Sequence, residues 1–438
     1  MINIDPTLVG VLGFIIFLAL LLGTGLPIGI GMAVVGFFGI WVMKGGPVAL
    51  QAVYQLPYTC IASWLLSVIP MFIFMGYIAF YAGFTRDAYD AAYKWVGRLP
   101  GGLAISTLMG GAAFGACCGS SVAATAALGK IALPEMEGYH YDRRLAAGTV
   151  AMGGTLAALI PPSILLVLYG VVVEQSIGEL LIAGILPGLL SMFCFIILVV
   201  VRVRLRPQLA PRGEKFSWKE KLLSLKGVIG IAIIFLAVIG GIYTGIFTPT
   251  EAGALGAFTC LILSLIMRRM NWVRFKETLH ESLRVYSSIF LIILGAYMFI
   301  RFLALTRLPI DFAEFITSLP VHPMTVLAGI ILVYLILGCF MDAIGLLLLT
   351  VPFIFPTVLA LGFDLIWFGV IVVKMLEIAL LTPPVGIQAY VLKSVAPHLS
   401  LGDIFMGFLP FFLVDVILVV GLLVAFPQIS LLLPGMMW

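Results

Sequence analysis

The sequence predicts an all-α polytopic membrane protein of two inverted-topology repeats, each with about five spans, a re-entrant helical hairpin and an interfacial arm helix. Three observations predict it. Of the 438 residues, 63% are hydrophobic and only 10% charged, with a mean hydropathy of +1.22, far from the balance of a water-soluble domain. Stretch after stretch supplies the roughly 20 apolar residues a spanning helix needs, without the alternation of outer-membrane strands. Finally, a costly feature is written twice: Pro161-Pro162 and Pro383-Pro384 each interrupt an apolar span, 222 residues apart. Paired prolines remove two backbone donors and break a helix sterically. Inside hydrocarbon such a break is tolerated only where the freed carbonyls face protein, water or a ligand.

In chain order, MINIDPT lacks the basic start of a cleavable signal peptide, so the first apolar run is expected to remain as an anchor. That run, Leu8 to Gly23, turns at the Gly/Pro-rich Gly23–Gly31 and continues to Met43. Ala49 to Leu66 carries Gln51, Tyr54, Gln55 and Tyr58 and reads as interfacial. A span from about Leu66 to Phe84 precedes a loop with Arg86, Lys94 and Arg98. Residues 101–130 are apolar but interrupted by GACCGSS (Gly115 to Ser121), which predicts two half-length helices meeting in a re-entrant hairpin. A proline-broken helix over 145–172 follows, then a span from Leu180 to Val201, then the most basic loop, Arg202 to Lys226, with eight of the 24 Lys and Arg.

The second half replays the first. Pro249 and Gly253 lie 222 residues after Pro27 and Gly31, Leu294-Gly295 answers Met75-Gly76, and LGCFMDAIG (Leu337 to Gly345) answers FGACCGSS. The basic amphipathic stretch Asn271 to Ser288 stands in the place of Ala49 to Leu66, and Ser400 to Pro410 answers Ser176 to Pro187. The repeats are therefore drawn at 1–215 and 216–438, the second with its hairpin over 323–360 and its broken helix over 367–392. Internal duplication of this kind is common in transporters. An odd number of spans per half inverts one repeat against the other. With the N-terminus outside, 20 of the 24 Lys and Arg fall in cytoplasmic loops, as the positive-inside rule requires. Both termini are then expected on the outer side.

Inverted repeats with interrupted helices point to a midplane site in a secondary transporter. The hairpins are expected to enter from opposite sides, so that the tips, Gly119 to Ser121 and Cys339 to Ala343, meet beside the two breaks. Carbonyls and hydroxyls there are hard oxygen donors that suit sodium rather than a transition metal. Gly119, Ser120, Pro161, Pro162, Gly338, Asp342, Thr382 and Pro383 are the sodium candidates; Ser120, Ser121, Ser163 and Asp342 are the substrate candidates. A mid-membrane carboxylate such as Asp342 costs about 2.5 to 3.5 kcal/mol on insertion scales; it reads as an ion or substrate contact, with a structural hydrogen bond as the alternative. Ser120 and Ser121 ligate or merely let helices approach, and Thr382 ligates or caps its break. Lys374 and Glu377, one turn apart, read as a mutually neutralising pair, and Glu251 as a helix cap.

Other classes are excluded on the same residues. The net charge of +4 follows topology and implies no nucleic-acid partner. Six scattered cysteines without CxxC spacing suit packing rather than zinc or disulfides. His140, His280, His322 and His398 fall in loops, so a membrane-embedded hydrolase using Cys117 or Ser120 lacks a base. No P-loop occurs, so ATP is not hydrolysed on this chain, and no cofactor beyond coupling ions is expected.

The segments GSSVAATAALGKIALPEM, AAGTVAMGGTLAALIPPSILLVLYG, SIGELLIAGILPG, GIFTPTEAGA, LGCFMD and LLTPPVG, in this order and spacing, resemble the large membrane subunit of tripartite ATP-independent periplasmic (TRAP) transporters nearly end to end. The resemblance implies an elevator-type, sodium-coupled importer of organic acids in the bacterial inner membrane. It implies two partners in the lipid bilayer system, a periplasmic substrate-binding protein and a small four-helix membrane subunit, the latter expected not to be fused here. It also implies that Gly119, Ser120, Asp342, Thr382 and the paired prolines line sodium and substrate sites. Two residues depart from the family pattern: Cys118 where serine is frequent, and Met375 where asparagine is common. A stand-alone sodium/anion symporter is the alternative.

Overall fold

The computed structural model describes residues 5–437 and is helical throughout, with no strand among them. Asp5 caps α1 (Pro6–Thr24), accepting from the Thr7 N–H at 3.0 Å. Gly25, in the left-handed region, ends it, and the chain turns through Pro27 into α2 (Ile28–Lys44). The arm α3 (Gly46–Ile61) meets α4 (Val68–Tyr81) at a bend of 60°. Where the sequence suggested only a charged loop there is an amphipathic helix, α5 (Phe84–Val96), which buries Phe84, Ala88, Tyr89, Ala91 and Ala92, keeps Arg86 exposed and pairs the half-buried Asp87 with Arg269.

The first hairpin is α6 (Gly102–Cys118) and α7 (Ser121–Gly138). The broken helix is α8 (Arg143–Thr155) and α9 (Ile164–Val172), each started by a side-chain cap, Asp142 to Leu145 N–H at 2.9 Å and Ser163 to Leu166 N–H at 3.2 Å. A short α10 (Ile177–Ala183) leads into α11 (Ile185–Leu205).

The second half opens with α12 (Trp218–Phe235), which passes through a π-helical turn into α13 (Gly241–Tyr243). Glu251 and Thr248 form a reciprocal capping box at the start of α14 (Pro249–Ile266). The stretch from Asn271 to Ser288, expected as a separate arm, is instead the first half of one unbroken helix, α15 (Trp272–Thr306, 35 residues). No proline or glycine interrupts it before Gly295, whereas the first-half arm carries Pro57 and stops at Ile61. Then come α16 (Leu308–Ser318), the second hairpin α17 (Pro323–Gly338) and α18 (Ala343–Ala360), and the second broken helix α19 (Leu365–Ala379) and α20 (Ile387–Val395). The chain closes with α21 (Leu401–Leu413), a π-helical stretch Val414–Val420, α22 (Gly421–Ala425) and α23 (Gln428–Leu431).

Among the described residues, seven helices are long and apolar enough to cross a membrane by length and composition. One of the seven is a hairpin leg, Ala343–Ala360; the entry legs of the two hairpins, Gly102–Cys118 and Pro323–Gly338, are apolar but shorter, as is Ile28–Lys44. Helices α2 and α15 cross at glycines: a Cβ on Gly29 would come within 2.7 Å of the Leu291 carbonyl, and one on Gly295 would strike the Gly29 carbonyl. Such small-residue contacts let backbones approach where lipid gives no hydrophobic incentive to associate. Gly76 of α4 serves the same purpose against the first hairpin, since its Cβ would lie 2.8 Å from Cys118 Cα.

Candidate functional site

The two hairpin tips and residues flanking the two helix breaks converge on one cavity of about 460 Å³. The first tip contributes Gly119, Ser120 and Ser121, the second Asp342, Ala343 and Ile344, and the flanks of the breaks Ala158 and Ile164 on one side and Leu380 and Ile387 on the other. Glu281, Arg284 and Ser288 of α15 close it, together with Tyr77 of α4. A second cavity of about 610 Å³ continues from the first, sharing Tyr77, Ser120, Glu281 and Arg284, and extends to Lys130 on α7 and Ser394 on α20.

Each tip is stitched to its break by the backbone. The Ile164 N–H donates to the Gly119 carbonyl at 3.5 Å, and in the other half the Val385 N–H donates to the Cys339 carbonyl at 3.3 Å. Gly119 holds a left-handed φ of +62°, and a Cβ there would strike the Pro162 carbonyl. Only glycine combines that backbone with that approach.

The exit legs of the hairpins are capped at matching positions, 222 residues apart. Ser120 Oγ accepts from the Ala123 N–H at 3.4 Å. Asp342 Oδ2 accepts from the Ile344 and Gly345 N–H groups at 3.0 and 3.1 Å. The carboxylate thus sits at a helix N-terminus, where the dipole favours negative charge, and the two bonds use only one of its oxygens.

Of the residues singled out from sequence, Gly119, Ser120, Ser121 and Asp342 line the cavity. Ser163 is fully buried, donating its hydroxyl to the Ala158 carbonyl and capping α9, so its polar atoms serve the break itself. Pro161 and Pro162 are buried behind the Gly119 contact. Thr382 Oγ1 donates to the Ile378 carbonyl at 2.8 Å, beside the exposed Pro383. Gly338 is a packing point, since its Cβ would lie 2.9 Å from Ala379 Cα. Hydroxyl, carboxylate and carbonyl oxygens are thus the donors available for a cation. No group of three His, Cys, Asp or Glu among the described residues could hold a metal.

Sequence reasoning missed Tyr77, Lys130, Glu281 and Arg284. The signal for the α15 pair was present, since Glu281 and Arg284 sit one turn apart in a stretch read as amphipathic, but periodicity alone does not say which neighbour a polar face meets. Lys374 and Glu377 pair at 2.8 Å; Asp415, which the sequence did not single out, joins them at 2.9 Å.

Comparison with known proteins agrees with this architecture. The family described as "Tripartite ATP-independent periplasmic transporter, DctM component" matches residues 14–429. The C4-dicarboxylate TRAP transporter large permease protein of Pseudomonas aeruginosa is 34% identical over 85% of this chain and 86% of its own length. The sialic acid TRAP transporter large permease protein of Vibrio cholerae is 32% identical over 94% of this chain and 96% of its own. The 2,3-diketo-L-gulonate counterpart of Escherichia coli is 33% identical over 91% and 94%. In fold, the chain is similar to the YdaH transporter of Alcanivorax borkumensis, with a TM-score of 0.58, 13% identity and coverage of 99% of this chain and 98% of that one. Matched by the family over residues 14–429 and by relatives 32–34% identical over most of their length, this multi-pass membrane protein belongs to the DctM family, the large permeases of tripartite ATP-independent periplasmic transporters.

Proposed function

We propose that the chain carries out sodium-coupled uptake of an organic acid by an elevator movement, with the acid delivered by a periplasmic substrate-binding protein and the scaffold braced by a small four-helix membrane subunit. One observation carries the reading: both hairpin tips and residues flanking both helix breaks line a single cavity of about 460 Å³. Ser120, Ser121, the tip carbonyls and the free oxygen of Asp342 offer hard oxygen ligands to sodium, with Thr382 and the carbonyls beside Pro161-Pro162 and Pro383 as further donors. Each sodium ion that enters down 100 mV releases about 2.3 kcal/mol, so more than one ion offsets the charge of an anion and still concentrates it.

Two cations on the cavity walls can meet an organic acid, beside the carboxylates of Glu281 and Asp342. Arg284 is exposed there and Lys130 is exposed further along, and neither has an ion-pair partner among the described residues. The relatives support the same class, being named for C4-dicarboxylates, sialic acid and 2,3-diketo-L-gulonate. In this reading the second cavity, lined by Lys130 and Ser394, lies toward the end of the bundle that the charge distribution assigns to the cytoplasm, which suits a cytoplasm-facing state. In the elevator reading the hairpins and broken helices move, while α3 and the first half of α15 act as arms, with both termini periplasmic.

Uptake into proteoliposomes, with the small subunit and the binding protein present and a panel of organic acids offered, tests the proposal. Uptake should require a sodium gradient. Unchanged uptake without sodium would sink the coupling, and uptake without the binding protein would instead favour a stand-alone sodium/anion symporter.

A further inference from the structure

Away from the cavity, the structure seals three ionisable groups into one cluster. Lys374 and Glu377 lie on α19, one turn apart, and Asp415 comes from the π-helical stretch after α21. Lys374 Nζ stands 2.8 Å from Glu377 Oε2 and 2.9 Å from Asp415 Oδ1, and the three side chains are 0%, 0% and 1% exposed. The Phe195 ring covers the ammonium at 5.6 Å. On α11, the Cys194 thiol, next to Phe195 in the chain, lies within the electrostatic reach of Asp415 and Lys374.

The cluster is one acid too many. Lys374 with Glu377 is already a neutral pair, so ionised Asp415 leaves a net charge of −1 where solvent does not reach. Three carboxylate oxygens, Glu377 Oε1 and both of Asp415, have no hydrogen-bond partner; Asp415 Oδ1 meets the ammonium as a charge contact at 2.9 Å without hydrogen-bond alignment. A buried, uncompensated charge is expensive, and an unpaired buried acceptor adds to the cost. The surplus acid is also placed by unusual backbone. In the π-helical stretch Asp415 turns inward while Ile417 and Leu418 stand 70% and 47% exposed, and π-turns recur at functional sites.

We propose that Lys374, Glu377 and Asp415 form a proton-binding site, in which the two acids together hold one proton and the cluster is neutral. Its charge states are then one ammonium, one carboxylate and one carboxylic acid, which leaves no uncompensated charge in the buried cluster. Sodium fits less well, because a hard cation needs a shell of about six oxygens, and the unpartnered ones here come from only two side chains beside an ammonium. The site is separate from the tip cavity, since none of the three residues lines it. In the elevator reading it lies on the moving broken helix, so that the proton travels with α19; the proton-binding claim itself does not depend on that reading.

Infrared difference spectroscopy of the purified full chain, exchanged from H₂O into D₂O at neutral pH, tests it without transport. The C=O stretch of a protonated carboxylic acid is expected in the wild type, shifted by deuteration. It should vanish in both Glu377→Gln and Asp415→Asn, where the remaining acid pairs with Lys374 as a carboxylate, and persist in Asp342→Asn. Should a single variant fail to fold, Lys374→Met/Glu377→Gln retains one acid and no cation, and its band should remain. A wild-type spectrum without the band, a band unaltered in both Glu377→Gln and Asp415→Asn, or its absence from Lys374→Met/Glu377→Gln overturns the proposal.

Discussion

The Val385 N–H donates to the Cys339 carbonyl at 3.3 Å, and in the other half Ile164 makes the same bond to Gly119 at 3.5 Å. A hairpin tip, which has no helix to satisfy its last carbonyls, is thereby pinned to the backbone just past a double-proline break. This pairing sets the geometry of the cavity wall in both repeats.

Gly119→Ala should loosen that wall. Alanine at φ +62° would cost roughly 1 to 2 kcal/mol in backbone conformation alone, and its methyl would strike the Pro162 carbonyl. A lower unfolding temperature in detergent and loss of sodium-dependent uptake are the expected results, whereas Gly138→Ala, at an exposed helix end with open space around its Cβ, should change neither.

Asp342 combines a cap with a charge, and two substitutions separate them. Asparagine caps helices about as well as aspartate, so Asp342→Asn should unfold near the wild-type temperature yet lose sodium dependence. Asp342→Ala should lose both, with a stability cost of about 0.5 to 2 kcal/mol from the missing cap. Sodium titrations of uptake together with thermal unfolding distinguish them; wild-type sodium dependence in Asp342→Asn would leave the residue a cap only.

Arg284 faces the cavity from α15 without a carboxylate partner among the described residues. A charge-assisted hydrogen bond to the solute is worth about 1.5 to 3 kcal/mol, so Arg284→Ala should weaken the apparent affinity for the transported acid roughly 10- to 100-fold. Unfolding temperature should hold, because the side chain is exposed. Concentration dependence of uptake is the measurement.

At the crossing of α2 and α15, Gly295→Val places three carbons where the Gly29 carbonyl stands. Overpacking of this kind typically costs about 1 to 3 kcal/mol, and here backbone rather than a flexible side chain must yield. Unfolding temperature should fall more than for Gly329→Val, where a Cβ meets nothing within 4 Å.

Much of this protein is legible in one dimension. Hydropathy, the duplicated order of motifs and the two proline pairs determine the repeats, the hairpins and the breaks, because helix formation and its interruption are local events read from neighbouring residues. Gly119, Ser120 and Asp342 could be named for the same reason: they fall where an apolar run loses its bulk. Some residues remained ambiguous locally. Ser163 and Thr382 stand beside breaks in the sequence, and only the folded chain spends their hydroxyls on the Ala158 and Ile378 carbonyls. The arm at Trp272 reads as a separate amphipathic piece because its polarity changes near Ser288, yet a change of polarity does not end a helix and α15 runs on. Tertiary structure alone decided that Arg284 meets a hairpin tip, and that Asp415 reaches Lys374 across 41 positions of chain at 2.9 Å. Such contacts depend on which faces of distant helices pack together, and no local pattern of residues encodes that.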